Sequence, residues 1–455
     1  MEDMAMNYAE IGTRRPRVDA REQVTGKIEY TGDLYIPGML YAKALLSTED
    51  HARIVELDTS VAEQLPGVRG IATAKDAPDN INGLIIPDQP VFADGKVRYR
   101  GEIVALVAAD TEEIALRAVE LIKVRYERLP AVFDPREALE PGAPVVHEEG
   151  QGKWCKGNQI LPHGHETMRL VHGDVDKAFA DADLIVEHTI GTSPQRCLPI
   201  EPHACIAKPE GPDRVTIIGN TQMPFWHQPA IAKALKLPLN RVRVVSAPIG
   251  GGFGQKNNIT IEPNVAVLAM KVGRPVRWVL TTTEDFQYTS TKIPIYHTYK
   301  MGVRSDGTLL AVHRKHIANA GAYASTAILT TGKCTMVGSG PYRIPNHLAE
   351  TWIVYTNKAQ SGAFRGFGMS QPTFAVEIMM DIIAEKLGMD PLQLRMKNIL
   401  RDGDRASTGQ MLRSVGIGAC LEKVRDMSGW PIPEPLIERQ PAESSMKAGE
   451  IPSLR

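Results

Sequence analysis

"IGGGFGQK", Ile249–Lys256, sets four glycines and one phenylalanine in eight residues. A strand-like run, NRVRVVSAPI (Asn240–Ile249), leads into it. A helix-like run, TIEPNVAVLAMKVG (Thr260–Gly273), follows, with Pro263 in its first turn and Gly273 at its end. Strand, glycine turn and helix are the grammar of phosphate-binding loops, but both common signatures fail. A P-loop needs Gly-Lys-Ser/Thr, and here Lys256 lies between Gln255 and Asn257. A dinucleotide turn needs Gly-x-Gly-x-x-Gly, and Gln255 or Asn257 stands at the last position in either register. Bare backbone here means a tight corner or the close approach of another group.

The whole chain narrows the choice. Its 455 residues, 43% hydrophobic, are enough for two domains with substantial cores. A net charge of −1 and the absence of a basic stripe argue against a nucleic-acid partner. The start lacks the apolar core of a secretory signal, and no apolar run is long enough to span a membrane. Five scattered cysteines without a CxxC pair fit a reducing cytoplasm and disfavour an iron–sulfur or structural zinc site in this chain.

Periodicity predicts a βαβ-like N-terminal piece. Strands are expected at Met39–Thr48, Glu102–Asp110 and Lys123–Leu129, with a Thr111-capped helix over Thr111–Ile122. The Pro/Gly-rich stretch Pro130–Lys153 reads as a linker, which gives a first domain over 1–150. A second domain is expected over 151–430. It has a short helix at Gln228–Pro238, a hairpin around Ser305–Gly307, a long helix after Gln371 and another starting at Asp390-Pro391. On the long helix Phe374, Ile378, Ile382 and Leu387 are predicted to form the buried face, with Gly388 as cap. The proline-rich tail, 431–455, is expected to be extended or loose. There is no internal repeat.

The glycine stretch has companions in a fixed order: QRCLPIEPHA (Gln195–Ala204), NTQMP (Asn220–Pro224) and AFRGFG (Ala363–Gly368). Over roughly residues 10–425 the chain resembles the large molybdopterin subunit of the xanthine dehydrogenase/aldehyde oxidase family. The resemblance implies an α+β protein: an N-terminal α/β hammerhead domain, then the first molybdopterin-binding α+β domain. It implies a molybdenum cofactor, molybdopterin in its cytosine dinucleotide form or plain molybdopterin, whose polar edges glycine amides can satisfy. By resemblance Gln222 hydrogen-bonds an oxo ligand of the metal. Gly252, Phe253 and Gly254 line the metal centre through their main chain. Arg365 meets the cofactor through its backbone while its guanidinium locks the surrounding loops. Phe367 matches the aromatic residue that stacks on a ring substrate. Asn257 stands where xanthine-oxidising members carry a substrate-binding Glu, and Lys333 aligns with their substrate Arg. This pairing argues against xanthine and for a ring that bears an anionic group. The family's Gln-x-His is Gln195-Arg196-Cys197 here, so that pocket wall differs.

The family's general base is a Glu in a "GQGE"-type segment far downstream, and this chain has no counterpart. The expectation is a split molybdenum subunit, with no catalytic residue in this chain. A partner would carry the second molybdopterin domain and the Glu. A [2Fe–2S] subunit and an FAD subunit would complete a cytoplasmic hydroxylase acting on an N-heteroaromatic ring. The rival readings are an aldehyde-oxidising member and a non-catalytic cofactor carrier. A carbon monoxide-oxidising member is disfavoured, because AFRGFG lacks the cysteine such a loop carries.

Overall fold

The computed structural model describes residues 12–431 and the short strand Ser453–Leu454, which pairs with Met168–His172. The rest of the tail expected to be extended lies outside the described residues.

Ile103–Ala109 is buried at every position and forms an interior strand of a seven-stranded sheet. The spatial order is Val242–Ser246, Val215–Gly219, Ala204–Pro209, Val276–Val279, Leu40–Leu46, Ile103–Ala109 and Val68–Ala72. Strands from both sides of residue 150 share this sheet. The seam is parallel, with Leu40 opposite Val276 and Tyr41 opposite Arg277. The helix Glu262–Val272, buried over most of its length, packs on it and ends at left-handed Gly273.

Thr111 caps the helix Glu112–Leu121 as expected, its side chain accepting the Ile114 N–H. The next strand, Lys123–Arg128, does not complete a βαβ unit. It joins Ala52–Asp58 and Lys96–Val97 in a separate three-stranded sheet. Its alternation of half-buried and exposed positions suits an open face and could not sit beside a strand buried on both sides.

A second sheet runs through Leu184–Thr192, Ile295–Val303, Leu309–Gly321 and Asn346–Tyr355. The hairpin at Ser305–Gly307 joins its second and third strands. The long helix Ser370–Leu387 ends at left-handed Gly388, but the face expected from Phe374 is not the buried one. Gln371, Pro372, Ala375, Val376, Met379, Met380, Ile383 and Ala384 are buried, while Phe374 is 52% exposed. Alanine, aliphatic and methionine side chains fill the contact with the second sheet, and the bulky Phe374 ring is left outside.

The helix Ala327–Val337 carries no helical signature, because Thr330, Thr331 and Thr335 are poor helix formers. Burial allows it. Their hydroxyls bond back to the carbonyls of Thr326, Ala327 and Thr331 at 3.0, 2.7 and 2.9 Å.

Candidate functional site

The strand Val242–Ser246 delivers the chain to Gly250, whose N–H donates to Glu201 Oε2 at 2.7 Å. The backbone then passes through positive φ at Gly251 (104°), Phe253 (51°) and Gly254 (102°). A phenylalanine in this region is uncommon and marks a main chain held by its surroundings. A side chain at Gly252 would meet Gln222 Oε1 at 2.6 Å, and one at Gly254 would meet the backbone of Ala363 and Phe364 at 3.0 Å. The Gly254 N–H donates to Gln222 Oε1 at 3.1 Å. The three expected companions, NTQMP, IGGGFGQK and AFRGFG, are therefore in contact. The main-chain N–H groups of Gly251, Gly252 and Phe253, and the Nε2 amide of Gln222, have no hydrogen-bond partner among the described residues.

Gln222 stands just ahead of a helix that begins at Pro224, earlier than expected, and ends at Ala234, well short of Pro238. Thr221 braces the turn: its Oγ1 accepts the Met223 N–H at 3.1 Å and meets His227 Nδ1 at 3.0 Å. His227 also reaches Glu262 at 3.3 Å and the Asn257 carbonyl at 3.0 Å. Burial pushes this imidazole down, but the Glu262 charge, its hydrogen bond and the Asn257 carbonyl together outweigh burial and raise the pKa.

The stretch rests on a buried polar floor. Lys256 Nζ meets Glu201 Oε2 at 2.9 Å and the Glu201 carbonyl at 2.8 Å. Gln255 Nε2 donates to Asp285 Oδ1 at 2.9 Å and also bonds Thr289 Oγ1. Asp285 Oδ2 takes both the main-chain N–H and Nδ1 of His203 at 2.8 Å. Burial raises the Asp285 pKa, yet the His203 hydrogen bonds and charge hold it down at about 2. Glu201 and His203 lie inside QRCLPIEPHA, but their partners are 55 and 82 positions away, so spacing alone does not reveal them.

AFRGFG repeats the geometry of the first loop. Gly366, Phe367 and Gly368 have φ of 95°, 45° and 87°. A side chain at Gly368 would collide with the Thr330 carbonyl. Asn258, which no motif marks out, ties the two loops: it bonds Ser290 Oγ at 2.5 Å, Ser325 Oγ at 2.9 Å and Thr326 Oγ1 at 2.7 Å. Thr326 Oγ1 in turn accepts the Ala363 N–H at 2.8 Å. Phe367 is half-buried. Arg365 is exposed, and its guanidinium makes no hydrogen bond or ion pair among the described residues, so it does not lock the loops here. Asn257 is half-buried with its side chain unpaired among the described residues. Lys333 is exposed on the helix Ala327–Val337, one turn beyond Thr330.

A cavity of about 850 Å³ opens beside AFRGFG, lined among others by Phe364, Phe286, Arg196, Arg100 and Lys358. Arg196 Nη1 bonds the carbonyl and hydroxyl of Thr289, and burial pushes its pKa down to about 10. Cys197 Sγ lies 3.7 Å from the Phe253 carbonyl, and burial pushes the thiol up to about 11. Elsewhere His297, His316 and Cys334 form a buried group with the spacing of metal ligands. The two imidazoles are hydrogen-bonded to each other at 2.9 Å. Burial, then the neighbouring Arg314 charge, pushes His297 down to about 3, and that same charge disfavours a second cation.

Comparison with known proteins identifies the family. Residues 25–130 match the aldehyde oxidase and xanthine dehydrogenase a/b hammerhead domain, and residues 159–399 match the molybdopterin cofactor-binding domain. The chain is 40% identical to a probable xanthine dehydrogenase subunit of Bacillus subtilis over 86% of its length, but spans only 51% of that relative. It is 36% identical to the nicotinate dehydrogenase large molybdopterin subunit of Eubacterium barkeri, covering 93% of this chain and 97% of that one. The structure resembles the aldehyde oxidoreductase of Desulfovibrio gigas, with a TM-score of 0.85 at 34% identity over 90% of this chain and 46% of that one. The chain belongs to the xanthine dehydrogenase/aldehyde oxidase family of molybdenum oxidoreductases, as a hammerhead domain followed by a molybdopterin-binding domain.

Proposed function

We propose that this chain is the large molybdopterin-binding subunit of a multi-subunit molybdenum hydroxylase. Its substrate is an N-heteroaromatic ring oxidised at a C–H bond, with water as the oxygen source. One observation carries the reading: N–H groups at Gly251, Gly252 and Phe253, unpaired among the described residues, stand beside an outward-facing Gln222 amide. That set of main-chain and side-chain amide donors fits the anionic, acceptor-rich edge of molybdopterin. Bound there, the cofactor supplies the two-electron oxidation of the substrate carbon. Gln222 would present Nε2 to it, Gly252 and Gly254 let Gln222 and the Ala363–Phe364 backbone close against the loop, and Arg365 would meet it through the backbone. Phe253 would line the metal centre through its main chain, Phe367 would stack on the substrate ring, and Asn257 and Lys333 would meet its substituents. The cytosine dinucleotide is the expected form.

The general-base Glu is assigned to a partner that carries the second molybdopterin domain, with [2Fe–2S] and FAD on further subunits. The near-complete match to a relative named as a large molybdopterin subunit supports this division. So do the exposed apolar residues at the rim, among them Leu198, Ile200, Phe253 and Met369. Five free cysteines fit a cytoplasmic location, and no helix among the described residues is long and apolar enough to cross a membrane.

Metal analysis of the purified holoenzyme tests the assignment. It should contain about one molybdenum per copy of this chain, and Gly252→Val, whose side chain would displace Gln222, should lose it. Full occupancy in that variant would remove this loop from the cofactor site. This chain expressed alone should show no hydroxylase turnover, and turnover without a partner would overturn the division of labour.

A further inference from the structure

His227, on the helix Pro224–Ala234, is buried with no exposed surface. Its ring spans the two segments that meet at Gln222. Nδ1 lies 3.0 Å from Thr221 Oγ1, and Nε2 lies 3.0 Å from the Asn257 carbonyl. Between these anchors runs the main-chain bond that joins the segments, from the Gln222 N–H to the Lys256 carbonyl at 3.0 Å. Thr221 precedes Gln222 and Asn257 follows Lys256, so the ring holds the chain beside both ends of that bond.

The ring is also charged. Nε2 faces a carbonyl, which only accepts, so it carries a proton. Nδ1 faces Glu262 Oε1 at 3.3 Å. Burial raises the Glu262 carboxyl, yet the His227 charge and hydrogen bond, with the Thr260 N–H at 2.9 Å, hold it down at about 2. An ionised carboxylate keeps a proton on Nδ1 as well. Glu262 is the first residue of the helix Glu262–Val272, where unpaired N–H groups favour a negative charge. The pair therefore has a fixed order, with the carboxylate on the helix and the imidazolium against Asn257.

Gln222 needs such bracing. Among the described residues its side chain makes one hydrogen bond, in which Oε1 accepts the Gly254 N–H at 3.1 Å. A small rotation of Thr221–Met223 would break that bond and turn Nε2 away. Ser246 Oγ donates to the Thr221 carbonyl at 2.8 Å, and Thr221 Oγ1 accepts the Met223 N–H at 3.1 Å. These bonds steady the segment, while His227 ties it to the loop through one rigid ring.

We propose that His227 is a positioning residue of the cofactor site, and that through Thr221 and Asn257 it sets the direction of the Gln222 amide. The inference rests on the molybdopterin reading above and adds to it a residue outside the three motifs.

The test is a redox titration of the purified holoenzyme. The molybdenum(V) signal is followed by electron paramagnetic resonance, and molybdenum is counted on the same samples. A hydrogen-bond donor favours the more electron-rich state, so Gln222→Ala should lower the midpoint. His227→Phe should lower it at least half as far. The double variant should match Gln222→Ala alone, because both changes remove one shared interaction. His227→Gln keeps a donor for the Asn257 carbonyl but loses the charge, and it should lower the midpoint less. A wild-type midpoint in His227→Phe beside a lowered one in Gln222→Ala would overturn the proposal, as would additive shifts in the double variant. If His227→Phe holds no metal, His227→Gln decides: a lowered midpoint supports the proposal and a wild-type one overturns it. A midpoint unmoved even in Gln222→Ala takes Gln222 and His227 together out of the metal's surroundings. A wild type without molybdenum sinks the molybdopterin reading itself, whereas bound metal with a silent His227 sinks this inference alone.

Discussion

Two loops of this molecule share one backbone recipe and differ in what holds them. Gly251–Gly254 and Gly366–Gly368 each place a phenylalanine at positive φ directly before a glycine at positive φ. The first loop leans on the second, since Gly254 fits against the backbone of Ala363 and Phe364. The second leans on its own domain, since Gly368 fits against the Thr330 carbonyl of a helix bedded on the second sheet. The first loop is instead anchored from beneath, by Lys256 and Gln255. One loop is therefore fixed by packing and the other by buried polar bonds, and these two kinds of support should fail differently.

The largest effect is expected at the polar floor. Lys256→Met leaves the Glu201 carboxylate without its cation, and breaking such a buried pair costs about 3–5 kcal/mol. Urea unfolding of the variant measures it, and a loss under about 1 kcal/mol would mean the floor is not what holds the first loop. Next comes Gly368→Ala. A left-handed non-glycine residue costs about 1–2 kcal/mol, and the forced shift of the Thr330 carbonyl brings the total to about 3 kcal/mol. Gly254→Ala meets a milder contact at 3.0 Å and should cost about 2 kcal/mol. If Gly254→Ala proved costlier than Gly368→Ala in the same unfolding assay, the order of support between the loops would be reversed.

Acid should expose the floor without any mutation. The Asp285 carboxyl is held at about 2 in the folded chain and returns to the ordinary value near 3.8 on unfolding. A depressed carboxyl stabilises the fold fully above its unfolded pKa and ceases to do so as pH falls through the folded one. The loss falls between about pH 4 and pH 2 and amounts to about 2 kcal/mol. The urea midpoint followed across that window should fall more steeply in the wild type than in Asp285→Asn. Equal slopes would show that Asp285 is not a charged member of the floor.

How much of this is legible in the sequence follows from where the information lies. Strand, turn and cap signals are local, and Ile103–Ala109, Thr111 and Gly388 do what their neighbours in sequence imply. The contact of the first glycine loop with both NTQMP and AFRGFG is legible only through their combination, because no single motif specifies its partner. The floor is not legible: Lys256 reads as any lysine until Glu201, 55 positions away, is placed against it. The helix Ala327–Val337 is hidden because burial lets its threonines bond back to their own turns, against propensity. The buried face of Ser370–Leu387 escapes a reading that weights side-chain size, since close approach to the sheet favours Ala375, Val376 and Met379 over Phe374.

The smallest effect on the fold is expected at Lys333, and it sharpens the contrast between supporting and recognising residues. Lys333 carries the same side chain as Lys256, but it is exposed and has no ion pair among the described residues. Its neighbours Cys334 and Thr330 hold the helix to the sheet and to Gly368, and removing an outward charge disturbs neither. Lys333→Met should therefore leave the stability from urea unfolding within about 0.5 kcal/mol of the wild type. A change confined to KM for an anionic substrate would place Lys333 on the recognition side of the comparison. A loss of more than about 1 kcal/mol in stability would instead make it a structural residue of its helix, and its candidacy as a substrate residue would fall.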